Sequence, residues 1–99
     1  MIESKNTALP QILLIDDDTE LLKSASLLLR NTYRVLTASS VATGKAVFRS
    51  QAVDVVVVDL CFEGQEADGL DFIDWISRET PKPPVIVVSG ATRTPRVVA

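Results

Sequence analysis

Three short apolar runs punctuate the chain: Ile12-Leu13-Leu14-Ile15, Val55-Val56-Val57-Val58 and Val85-Ile86-Val87-Val88. Each is continuous rather than alternating and rich in β-branched side chains, the signature of strands buried on both faces in a parallel sheet covered by helices. A fourth stretch, Tyr33-Arg34-Val35-Leu36-Thr37, mixes polar with apolar positions, as an edge strand does. Between these runs the spacing turns helical. Leu21, Leu22, Ala25, Leu28 and Leu29 form an amphipathic stripe, with Asp18 or Thr19 placed to cap it. Ala42, Ala46 and Val47 form a weaker stripe behind Ser39 or Ser40. Leu70, Phe72, Ile73 and Ile76 form a third, and Pro81, Pro83 and Pro84 break it before the last apolar run. The predicted order is β-α-β-α-β-α-β. Such alternation predicts a doubly wound α/β sheet with right-handed crossovers, binding its ligand beyond the carboxyl ends of the strands.

Composition narrows the chemistry. The 99 residues suit one domain, 1–99, with residues 1–10 as a polar N-terminal tail. Apolar residues make up 46% of the chain, enough for a packed core. Histidine is absent, which excludes histidine-based acid–base catalysis and imidazole metal sites. The single cysteine, Cys61, excludes an internal disulfide and fits a reducing compartment. The longest apolar runs are four residues, far short of a membrane span, and no apolar stretch follows the N-terminus as in a signal peptide. A net charge of −3, with no basic run, argues against direct nucleic-acid binding. A cytoplasmic domain is expected.

Each strand-like run ends in a residue suited to phosphate or metal chemistry. Ile15 is followed by Asp16-Asp17-Asp18, Val58 by Asp59, and Val88 by Ser89-Gly90. Neighbouring strands lie ~4.8 Å apart, so pairing of the first and third runs would set Asp16 or Asp17 across from Asp59. Carboxylates gathered there repel one another unless a cation sits among them. A site of oxygen ligands alone selects a hard ion, Mg²⁺ first. A carboxylate can also act as a nucleophile and form an acyl phosphate. Ser89 could then donate a hydrogen bond to a phosphoryl oxygen.

Taken together, Ile12-Leu13-Leu14-Ile15-Asp16-Asp17-Asp18, Val55-Val56-Val57-Val58-Asp59-Leu60, Asp68-Gly69-Leu70-Asp71-Phe72-Ile73 and Pro84-Val85-Ile86-Val87-Val88-Ser89-Gly90-Ala91 resemble, in order, four motifs of response-regulator receiver domains. The resemblance implies a flavodoxin-like sheet and a two-component signalling module rather than an enzyme. It implies that Asp59 accepts a phosphoryl group from a sensor histidine kinase or a phosphotransfer protein. By the same resemblance Asp17 ligates Mg²⁺ directly, Asp16 directly or through water, and Cys61 through its backbone carbonyl. Ser89 becomes the switch hydroxyl.

Two departures from the receiver pattern stand out. The segment Leu60–Ala67 is longer than usual and lacks the common Met-Pro. The 99 residues end within what would be the fourth helix, before the family's fifth strand, the lysine that follows it and the fifth helix. The expected fold is thus an incomplete receiver, with Val85–Val88 as an unpaired apolar edge that invites homodimerisation. Phosphorylation-driven switching is expected to be weak or absent. A degenerate receiver acting purely as an interaction module is the first alternative. A haloacid-dehalogenase-type phosphatase is the second. It would make Asp16 the nucleophile, but Glu20 stands where that motif wants threonine.

Overall fold

The computed structural model describes residues 9–59, 66–88 and 95–98. Its elements are β1 (Gln11–Ile15), α1 (Thr19–Leu29), β2 (Arg34–Ala38), α2 (Val41–Ser50), β3 (Val55–Asp59), α3 (Glu66–Ile76), β4 (Val85–Val88) and β5 (Pro95–Val98). They form a sheet in the order β2-β1-β3-β4-β5. The first four strands are parallel, and β5 joins β4 antiparallel. This is the doubly wound α/β architecture expected from the alternating elements, in the flavodoxin-like form that the receiver resemblance implied.

Those runs occupy the centre of the sheet because both of their faces are covered. Leu13 and Ile15 of β1, Val56 and Val58 of β3, and Val85 and Val87 of β4 point into one cluster with Phe72 and Ile76 of α3. Ile12 and Leu14 point to the other side, where Leu22 of α1 closes a smaller cluster. Phe72 is fully buried, so it supplies the largest single anchor between α3 and the sheet. Truncating such a ring to alanine typically costs 3–5 kcal/mol.

The helices start where their caps allow. The Asp18 carboxylate accepts from the amides of Glu20 and Leu21, and the Ser40 hydroxyl accepts from Thr43, so α1 and α2 each begin on a capped turn. The apolar stripes are less fully used than their spacing predicts. On α1, Leu22 is buried, but Leu21 is 42% and Leu28 82% exposed. On α3, Leu70 is exposed. On α2, Ala42 and Ala46 face solvent, and the helix packs instead through Val41, Gly44, Val47 and Phe48. The reason is size: the residue at the point of closest approach is the glycine. A Cβ added to Gly44 would lie 2.8 Å from Cδ1 of Ile15.

α2 and α3 are stitched together at their outer edge. Trp75 meets Phe48 edge-on at 5.8 Å and Phe72 at 5.7 Å, while Lys45 and Arg49 of α2 lie over its ring. Lys45 also pairs with Asp71.

Two expectations are corrected. The segment expected to open a fourth helix instead contributes β5, so Val85–Val88 is not an unpaired edge and homodimerisation through it loses its basis. The local chemistry explains this. Val97 and Val98 favour a strand, and Pro95 occupies the first strand position, where its missing N–H is tolerated. In addition, α3 begins at Glu66, earlier than the Asp68-Gly69-Leu70 opening.

Gly44→Ala should destabilise the fold by about 1 kcal/mol, because overpacking against Ile15 outweighs the helix propensity gained. In an Ile15→Val background the clashing Cδ1 is gone, and the same substitution should become neutral or stabilising. Urea unfolding of the four proteins checks both outcomes.

Candidate metal and phosphoacceptor site

The site lies at the carboxyl ends of β1 and β3. Parallel pairing sets Ile15 beside Val58, so the next residues on each strand, Asp16 and Asp59, emerge side by side. Asp59 is itself paired with Val88 on β4. Both carboxylates are sequestered: Asp59 is 4% and Asp16 8% exposed, and Asp17 is half-buried. One ligand oxygen from each of Asp16, Asp17 and Asp59 lies within 4.8 Å of the others.

Backbone interactions hold Asp16 in this position. Its amide donates to the carbonyl of Ala38, extending the β1–β2 ladder one step past the strand. Its Oδ1 accepts the amide of Asp18 at 2.9 Å. The chain therefore leaves β1 through a tight acidic turn and enters α1 directly, with the positive end of that helix close to the carboxylates. A small cavity of about 150 Å³ runs from Asp16 and Asp59 between α1 and the sheet, walled by Leu21, Val57 and Val88.

Three formal negative charges gathered this closely repel one another, and a cation among them would offset that repulsion. Two unit charges 4.8 Å apart repel by about 3 kcal/mol at an effective dielectric of about 20. All the donors are oxygens, with neither imidazole nor thiolate among them, so the cluster suits a hard divalent cation. The set fits such an ion in number, in chemistry and in convergence.

The sequence from residue 12 to residue 99 matches the family of the response regulator receiver domain. The chain belongs to this family. As a receiver domain it is 38% identical over 89 residues to the transcriptional regulatory protein GlrR of Escherichia coli strain K12, covering 89% of this chain and 20% of GlrR. It is 35% identical over 80 residues to the photosynthetic apparatus regulatory protein RegA of Cereibacter sphaeroides, covering 80% of this chain and 42% of RegA. The receiver domain thus spans a fifth of GlrR and less than half of RegA. Among solved structures, a response regulator receiver domain protein from Clostridium thermocellum superposes with a TM-score of 0.75 at 33% identity, covering 85% of this chain and 68% of that one. The phosphatase alternative rested on the first acidic run alone and has no support from a match that spans the receiver domain from residue 12 onward.

Of the residues singled out from the sequence, Asp16, Asp17 and Asp59 are brought together. Cys61 and Ser89 lie outside the described residues. The sequence points to Asp18 chiefly as a cap of α1 and does not show its amide contact to Asp16. The signal lay in the Asp-Asp-Asp run, because an aspartate readily accepts from the amide two residues on. Among the described residues, no helix is long and apolar enough to cross a membrane.

Removing one charge from the cluster should separate two effects. In metal-free buffer Asp59→Asn should stabilise the receiver domain by about 1 kcal/mol or more, because repulsion is relieved. It should also abolish most of the stabilisation that added Mg²⁺ gives the wild type. Urea unfolding in chelator and in Mg²⁺ measures both.

Proposed function

We propose that this receiver domain accepts a phosphoryl group from the phosphohistidine of a sensor histidine kinase or phosphotransfer protein onto Asp59. The observation that carries the reading is the seating of the Asp59 carboxylate, 4% exposed, at a strand end against Asp16 and Asp17. A carboxylate oxygen of Asp59 bonds to phosphorus as the P–N bond of the phosphoimidazole breaks. The electron pair of that bond stays on the ring nitrogen, and a proton on the ring leaves the released imidazole neutral.

Asp16, Asp17, Asp59 and the backbone carbonyl of Cys61 would hold Mg²⁺, which supplies positive charge to the phosphoryl oxygens during transfer. The protein's own part is positional. β1 and β3 fix the acceptor relative to its acidic neighbours, and the buried setting limits water at the nucleophile. Ser89, following the residue paired with Asp59, is assigned as the switch hydroxyl that turns toward the phosphoryl group. The domain works as a cytoplasmic signalling module, not as an enzyme with its own substrate turnover. Its output lies in a protein contact or in sequence beyond this chain, and its acidic balance argues against direct contact with nucleic acid.

A second reading is an interaction module that docks a kinase without being phosphorylated, with the lysines among the described residues lying away from Asp59. Among the described residues, Lys23 pairs with Glu20 at 3.7 Å and Lys45 with Asp71 at 3.3 Å, both on helix surfaces. Lys82 precedes β4, at the opposite end of the sheet from Asp59.

Incubation with a small phosphodonor and Mg²⁺ decides between the two. The phosphoacceptor reading expects an acidic product on Phos-tag gels that is lost in Asp59→Asn and in chelator. An unmodified wild type, with kinase binding unchanged in Asp59→Asn, would establish the docking module instead.

A further inference from the structure

Asp18 lies outside the acidic cluster yet touches it through its backbone. Its amide donates to Oδ1 of Asp16 at 2.9 Å, while its own Oδ1 accepts from the amides of Glu20 and Leu21 at 3.1 Å each. Its backbone is extended, at φ −85° and ψ 97°, as an N-cap residue must be. The same three-residue turn therefore has two jobs. On one side it satisfies the first amides of α1, and on the other it aims the Asp16 carboxylate.

Asp16 is thus gripped from two directions. The Ala38 carbonyl holds its main chain to the sheet, and the Asp18 amide holds its side chain to the turn. If the Asp18 cap is lost, the first turn of α1 is free to fray, and the amide that holds Asp16 moves with it.

We propose that Asp18 is a positioning residue for the divalent-ion site: its carboxylate, by capping α1, locks the turn that orients Asp16. The inference rests on the Mg²⁺ reading given under the proposed function. Asp18 is not counted as a ligand, because the converging oxygens come from Asp16, Asp17 and Asp59. Groups that orient metal ligands typically change affinity by 10–100-fold when removed.

The experiment measures Mg²⁺ affinity by calorimetry, and metal-free stability by urea unfolding, for the wild type, Asp18→Ala, Asp18→Asn and Ser40→Ala. Ser40 caps α2, so its replacement removes a helix cap without touching the acidic turn. Asp18→Ala should weaken Mg²⁺ binding about tenfold. Ser40→Ala should lose comparable stability yet keep its affinity within about twofold of wild type, because the Ser40 hydroxyl bonds to Thr43 and not to the acidic turn. Asp18→Asn retains an acceptor oxygen for the cap and should bind nearly as the wild type does. Asp18→Ala with unchanged affinity would overturn the proposal. So would Asp18→Asn binding as weakly as Asp18→Ala, which would make the charge itself the active feature. A wild type that binds no Mg²⁺ would instead remove the metal reading and the positioning role together, a result distinct from either variant outcome.

Discussion

The parallel pairing of β1 with β3 is the constraint on which the site depends. It places Ile15 beside Val58 and so forces Asp16 and Asp59 to emerge together, although their charges favour separation. The hydrophobic burial of Leu13, Ile15, Val56 and Val58 supplies the force that holds them there. At roughly 1.5–3 kcal/mol for each buried aliphatic side chain, the strands outweigh a repulsion of about 3 kcal/mol per charged pair. A shift of one residue in that register would turn these side chains to the wrong face and separate the carboxylates in the same motion.

The helices refine what the strands impose. α1 begins immediately after the acidic turn, so its cap and the carboxylate cluster share a backbone. α2 reaches the sheet closely because Gly44 lies against Ile15, the residue directly before Asp16. α3 is anchored by Phe72 and Ile76 beneath β3 and β4, on the opposite face from α1. Each helix therefore bears on a strand whose end carries an acidic residue or lies beside one.

Much of this was legible in the sequence. The apolar runs marked the central strands because parallel strands covered on both faces leave little room for polar residues. Asp16, Asp17 and Asp59 could be picked out because each ends such a run. Residue type and position narrowed the caps to Asp18 or Thr19 and to Ser39 or Ser40, and the structure selects Asp18 and Ser40. What could not be read was which part of each helical stripe would be covered. Leu21 and Leu28 carry the same periodic signal as Leu22, and only the width of the contact decides that Leu22 alone is buried. The packing of α2 was misjudged for a similar reason, since a glycine gives no hydrophobic signal where the helix comes closest. The strand at Pro95–Val98 was missed because the receiver resemblance suggested a helix there. Its valines and leading proline carried the local preference for a strand.

Trp75 carries a consequence of a different kind. It is the chain's only tryptophan, and it sits between Phe48 and Phe72 with two cations over its ring. Its emission therefore reports on a single place, the seam between α2 and α3, with no second indole to blur the signal. The protein carries an optical gauge of how tightly those two helices close, readable without adding a label.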